Sequence, residues 1–356
     1  MKRLFISILT AFSLSVNAQT EVTPYQPGVT ENGITYFLPA TCLHLTVTAK
    51  RVTHSPGKFS KYAERYLRLE GATMYPYETW EITGMQITPF GVADASQAYS
   101  VKLKSKTSAP LVGLAPDGRL LSINAEAPEL PKLGGASVSE STTTKVTAED
   151  FMSEEILLAG SVAKMAELVA DEIFDKRESR ALLSKGQADF MPKDGEQLKL
   201  MLQTLDKEEF GLLQLFKGYT TTEYHTFTFD YQPKGEVDRD LLFRFSKHLG
   251  FVDADDLAGE PVYISVRDLK SLPPVAEVTD KKKKKEVEDV RYIVPGRAEV
   301  KLLWGENQSS VLDLPMAQFG RLEHLGGDLF NKQSSTRVMF SPENGGITKI
   351  DLKQPE

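Results

Sequence analysis

Between Ile34 and about Asn124, apolar and polar residues alternate along most of the chain. In ITYFLPATCLHLTVTAKRVTH, Leu43, Leu45, Val47 and Ala49 share one register, the period of two expected of a half-buried strand. YETWEITGMQITPFG and AYSVKLKS continue the pattern. PLVGLAPDGRLLSIN predicts a hairpin, because two apolar runs flank Pro116-Asp117-Gly118 and glycine is free to take a positive φ. One helix interrupts the strands. In KFSKYAERYLRLEG, Phe59, Tyr62, Ala63, Tyr66 and Leu67 share a helical face, and Gly71 suits the stop. That aromatic stripe is expected to pack on the sheet rather than form a ligand platform.

Residues 125–147 lose periodicity and gain Pro, Gly, Ser and Thr, as a linker or long surface loop does. The strongest helical pattern follows. Leu158, Val162, Met165, Val169 and Ile173 recur at steps of three and four between Glu154 and Ser184. Glu172 stands four residues before Lys176, a pairing worth about 0.2–0.5 kcal/mol on a helix surface. A break from Gly186 to Gly195 contains Pro192, and Asp194 with Gln197 has the spacing of an N-terminal cap. The next helix carries Leu198, Met201, Leu202, Leu205, Leu212, Leu213 and Phe216 on one stripe, and Gly218 closes it. An antiparallel helical hairpin is expected, its apolar stripes facing each other or a sheet.

After Gly218 the period returns to two. His225, Phe227, Phe229 and Tyr231 share one face of TTTEYHTFTFDYQP, and Tyr224, Thr226, Thr228 and Asp230 share the other. DLLFRFSKHLG, EPVYISVRDL, RYIVPGRAEVKLLW and SSVLDLPMAQFG read as further strands or short connectors. TRVMFSPENGGITKIDL reads as a second hairpin, turning at Glu343-Asn344-Gly345-Gly346. Strands, then helices, then strands again predict an α+β fold: two β-rich parts, mostly antiparallel sheets, bracketing a long helical hairpin. The expected divisions are 1–18, 19–124, 125–147 as linker, 148–218 as hairpin, and 219–356 with a lysine-rich loop at 276–290.

The N-terminus adds a destination. Lys2 and Arg3 precede an apolar stretch of 13 residues from Leu4 to Val16, and Val16-Asn17-Ala18 places small residues before a cleavage site. This is the pattern of a secretory signal, too short for a membrane-spanning helix of about 20 residues. Export to the periplasm or cell envelope, or beyond it, is expected. Removing residues 1–18 would move the formal net charge from −7 to −9, which argues against a general nucleic-acid binder. No later apolar run is long enough to span a bilayer. Cys42 is the one cysteine, so no internal disulfide can form; a small buried hydrophobe is the expected role.

The sequence shows no Gly-rich phosphate loop and no nucleophile elbow. The five histidines, His44, His54, His225, His248 and His324, make no local zinc motif; His44 and His225 are expected as hydrogen-bonded strand residues. Asp253, Asp255 and Asp256 lack the spacing of an EF-hand loop and read as a capped turn. Tyr75, Tyr77 and Trp80 cluster, with Tyr77 and Trp80 on opposite faces of a strand. At least one ring is then outside the main core or at an interface, with packing expected ahead of a carbohydrate platform. Lys281 to Lys285 form the one lysine run. Asp280, Glu286, Glu288 and Asp289 reduce that window to a net charge of +1, so it reads as a solvated loop rather than a polyanion contact. No catalytic residue, cofactor site or metal site is singled out.

ITYFLPAT, PGKFSKYAERYL, KRESRALLSKGQADFMPKDGEQLKLMLQTLDKEE, LFRFSKHLGFVDADDLAGEPVYI and AQFGRLEHL together resemble an uncharacterised exported family of Bacteroidetes-type bacteria, one of the domain-of-unknown-function families. The resemblance implies export and a shared fold over nearly the whole mature chain, and brings no activity or site residue. The expected function is a non-enzymatic binding or assembly module of the cell envelope, partnered by another envelope protein or a glycan. The alternative is an exported hydrolase of glycans or peptides whose site is assembled from distant residues.

Overall fold

The computed structural model describes residues 21–24, 33–102, 112–141, 151–192, 194–274, 290–305, 308–326 and 335–353. In chain order these form β1 (Glu21–Pro24), β2 (Gly33–Ser55), α1 (Ala63–Leu67), β3 (Tyr77–Lys102), β4 (Val112–Leu114), β5 (Leu120–Ile123) and β6 (Ser137–Ser141). Then come α2 (Glu154–Leu157), α3 (Val162–Lys185), α4 (Gly195–Lys217), β7 (Tyr219–Tyr231), β8 (Val237–Ser246), β9 (Gly250–Val252) and β10 (Glu260–Asp268). The chain closes with β11 (Val290–Trp304), β12 (Gln308–Leu325), β13 (Ser335–Phe340) and β14 (Ile347–Lys353). The protein is α+β, and its strand ladders are antiparallel.

Three sheets result, ordered β1-β3-β2-β7-β6, β12-β11-β10-β8-β9 and β14-β13-β5-β4. The first sheet crosses the segment divisions drawn from sequence: β7, which follows the helices, pairs with β2 from Ser55↔Tyr219 to Leu43↔Tyr231. The first two sheets share a core in which Leu43 and Leu45 meet Ile264, Val266, Val300, Leu302 and Met316. Face-to-face burial of this kind is how a two-layer β structure is held, each Leu or Val contributing about 1.5–3 kcal/mol.

The register expected for Leu43, Leu45, Val47 and Ala49 is observed, all four being 0% exposed. Upstream, Tyr36 is buried too, and every residue from Leu38 to Leu45 is buried, so both faces of β2 are covered there. With both faces covered, one long strand serves two cores. Tyr36 and Leu38 pack with Leu120, Ile123, Val338 and Phe340 of the third sheet. Both expected hairpins form there, as β4–β5 around Gly118 (φ 86°) and β13–β14 around Gly345 (φ 73°).

The helices depart from expectation in extent. The helix near Phe59 is a short turn plus α1, and it ends at Arg68 in the left-handed region (φ 53°) rather than at Gly71. There Leu69 N–H reaches back to the Ala63 carbonyl and closes the turn early. The single helix expected from Glu154 is split into α2 and α3. Ser161 caps α3 by accepting from Lys164 N–H, and Leu158 and Val162 stay 75% and 49% exposed instead of joining the core. Asp194 caps α4 through Glu196 N–H, and Gly186 (φ 70°) ends α3.

α3 and α4 meet over part of their length, more loosely than a long hairpin. Val169 and Ile173 pack with Leu212, Leu215 and Phe216, joined by Phe59, Ala63, Leu67 and Ile156. Beyond that cluster, ion pairs link Lys176 to Glu208 and Arg177 to Glu209. Gly218 (φ 76°) turns α4 into β7, where a Cβ would stand 2.1 Å from the Ser55 carbonyl oxygen. Only glycine fits that approach. No described helix is long and apolar enough to cross a membrane. Residues 1–18 and the run Lys281–Lys285 lie outside the described residues.

Candidate functional site

Trp80 stands on β3 opposite Arg51 of β2. Its backbone N–H donates to the Lys247 carbonyl at 2.7 Å, tying the first sheet to the turn between β8 and β9. The indole is fixed as well. Its Nε1–H donates to Glu78 Oε1 at 2.7 Å, and Glu78 Oε2 accepts from Arg51 Nη2 at 2.7 Å. Arg51 Nη1 reaches Glu223 Oε2 at 3.3 Å, and the same oxygen lies 3.0 Å from His225 Nε2. The Arg51 guanidinium lies 5.5 Å from the centre of the Trp80 ring, and the His225 ring lies 4.8 Å from it. Gly250 closes the packing, since a Cβ there would sit 2.9 Å from the indole. The hydrogen bond from Arg51 holds the Glu78 carboxyl below the usual carboxylate range, against partial desolvation. The hydrogen bond from His225 does the same to Glu223, with Arg51 adding to it.

This anchored ring walls a cavity of about 830 Å³ between β3, the β8–β9 turn and the ends of β10 and β11. Both tryptophans of the chain, Trp80 and Trp304, line it, with Phe245 as a third aromatic wall. Trp304 Nε1 is buried and has no acceptor among the described residues. Glu81, Lys247, His248 and Glu260 are exposed side chains on the same wall. Flat apolar rings with a few convergent polar groups are the usual make-up of a small-ligand site. A second cavity of about 550 Å³ brings Arg239, Arg267 and Lys301 near Glu236, Asp238 and Glu299. Its charges are partly satisfied internally: Arg267 pairs with Glu299 at 3.0 Å, and Arg239 lies 4.9 Å from the Tyr263 ring.

The residues considered from sequence fall in several places. Tyr75 is exposed, and Tyr77 stacks on His54 with ring centres 4.9 Å apart, so only Trp80 of that cluster reaches the cavity. His54 is buried, with Nδ1 3.1 Å from Thr220 Oγ1. His44 and Asp230 face each other in the β2–β7 ladder, with His44 Nδ1 2.6 Å from Asp230 Oδ1 and Nε2 3.0 Å from the Gly134 carbonyl oxygen. Cys42 shares a strand face with His44 by spacing. Both imidazole nitrogens are already bonded, so neither is available as a base for the thiol. Burial pushes the Cys42 thiol up to about 11, which makes it inert. Asp253 and Asp256 form a turn in which Asp256 Oδ1 accepts from Ala258 N–H at 2.8 Å. Among the described residues, no group of three or more His, Cys, Asp or Glu is placed to hold a metal ion.

Sequence reasoning missed Trp304, Phe245, Lys247, His248 and Glu260 as neighbours of Trp80. The available signal was the scarcity of tryptophan: a chain with two has placed both on one cavity.

The fold and cavity define a three-sheet α+β protein with an aromatic-walled cleft among its described residues. The chain belongs to the family DUF4831, a domain of unknown function, which matches residues 32–348. Comparison with curated proteins and with solved structures returned no match.

Proposed function

We propose that the protein is an exported binding module of the cell envelope, without catalytic activity of its own, and that its site is the cavity walled by Trp80 and Trp304. The cavity carries this reading, because its principal ring is held in place before any ligand arrives. Preorganisation of that kind reduces the ordering cost of binding. Export is supported by Lys2, Arg3 and the Leu4–Val16 stretch.

Two measurements test the proposal. Mass determination of the native protein is expected to find an N-terminus at Gln19; retention of residues 1–18 defeats the export reading. Titration with fractionated soluble envelope glycans and peptides is expected to produce a saturable change in tryptophan fluorescence. No change with any fraction defeats the binding reading.

A hydrolase is the second reading. One observation favours it: Glu81, Glu260 and His248 share the cavity wall. Incubation of the same fractions with the protein would then yield shortened products, and their absence leaves the binding module.

A further inference from the structure

We propose that the cavity takes a neutral, hydroxyl-rich ligand, a short saccharide chain whose ring faces lie on the tryptophans and whose hydroxyls meet the polar wall. This rests on the cavity being the binding site.

The aromatic wall asks for a partner with flat apolar faces. Trp80, Trp304 and Phe245 are all half-buried, so each offers ring surface to the cleft while its remainder stays packed. The C–H face of a pyranose provides such a surface, and burying it removes apolar area from water.

The polar groups decide the rest. Glu81 and Glu260 carry carboxylates, which only accept; Lys247 only donates; His248 can do either. An anionic ligand would meet two carboxylates. A cationic one would meet Lys247. A wholly apolar ligand would strip water from all four groups without replacing their hydrogen bonds. A hydroxyl both donates and accepts, so a polyol chain can satisfy all of them at once.

Size is consistent. A cavity of about 830 Å³ holds several linked sugar rings, within the range of about 300–1,000 Å³ usual for ligand sites. Trp80 completes the argument, because Glu78, Arg51, His225 and Gly250 hold its ring from the protein side.

The chain's only two tryptophans line the site, so their emission reports occupancy directly. The full mature chain is titrated with neutral hexasaccharides derived from glucan, mannan, xylan and chitin. An oligogalacturonate, a chitosan oligomer and a mixed hexapeptide library serve as comparators. At least one neutral hexasaccharide is expected to shift the emission saturably. The exposed double variant Glu81→Gln/Glu260→Gln, with an unchanged circular dichroism spectrum, is expected to bind it about tenfold or more weakly, as loss of hydrogen bonds to charged groups predicts. Binding that is unaltered in this variant overturns the saccharide proposal. A comparator that shifts the emission while every neutral saccharide fails also overturns it, but leaves the binding module standing. Silence from every probe overturns both.

Discussion

Trp80 donates its indole N–H to Glu78, two positions earlier on the same strand, at 2.7 Å. Glu78 is in turn gripped by Arg51 at 2.7 Å, so the orientation of an aromatic wall depends on a charged pair behind it. Glu78→Ala is expected to free the indole and leave Arg51 with Glu223 alone. The side chains of Arg51 and Glu78 are about a third exposed, so the stability cost is modest, about 1 kcal/mol or less. The larger effect falls on the site. Acrylamide quenching of tryptophan fluorescence should rise while the circular dichroism spectrum is kept; unchanged quenching would show that the ring is held by packing alone.

The same network sets an acid limit. The carboxyls of Glu78 and Glu223 are both lowered in the folded protein. Their contribution is therefore complete above the ordinary carboxylate value of about 4.3 and is lost as the pH falls through the lowered values. Denaturation free energy should decline in that acidic window. Glu78→Gln/Glu223→Gln should be less stable than the native chain at neutral pH and lose less on acidification. Parallel pH profiles for the two proteins would contradict this.

Glu343 predicts the opposite sign. Burial raises its carboxyl pKa, so the folded state holds that proton more tightly than the unfolded chain. The associated stability is present below the ordinary value and disappears as the pH rises through the raised one. Glu343→Gln should therefore raise the melting temperature at neutral pH and change little below about pH 4, where the native carboxyl is already protonated. Scanning calorimetry at the two pH values makes the comparison.

Cys42 should be silent. It is buried, with its thiol pushed up to about 11, so a disulfide-exchange reagent at neutral pH is expected to label it only after denaturation. Rapid labelling of the folded protein would mean that the strand face carrying Cys42 opens readily.

Glu209 ties the helices together. It is 8% exposed and accepts from Arg177 at 2.6 Å and Arg180 at 2.9 Å. Glu209→Ala should cost roughly 1–3 kcal/mol, below the full cost of breaking a buried pair because both arginines are partly solvated. Hydrogen exchange should quicken in α3 and α4 and stay unchanged in β2 and β7. Uniform quickening would mean that helices and sheets unfold as one unit.

Much of the fold was legible where local chemistry decides it. The period of two around Leu43–Ala49, the glycine turns at Gly118 and Gly345, and the cap at Asp194 follow from side-chain alternation, positive φ and an unpaired helix N–H. The helical extents were less legible. The apolar spacing of Leu158 and Val162 continues that of Val169 and Ile173, yet both remain exposed because Ser161 starts a new helix. The long strand β2 misleads differently: its alternation predicts one buried face, yet every residue from Leu38 to Leu45 is buried because two cores meet along it.

The order of residues by itself determined which segments become strands, where glycine must turn the chain, that one cysteine can make no internal disulfide, and that the composition can build buried cores. The strands and turns follow from groups near one another in the chain, and the other two outcomes from composition alone. Strand pairing and the site were decided only by tertiary structure. β7 pairs with β2 because their apolar faces together cover the second sheet, and that pairing brings Arg51 between Glu78 and Glu223. Trp80 and Trp304 meet at one cavity because two sheets stack, a relation that no local period encodes.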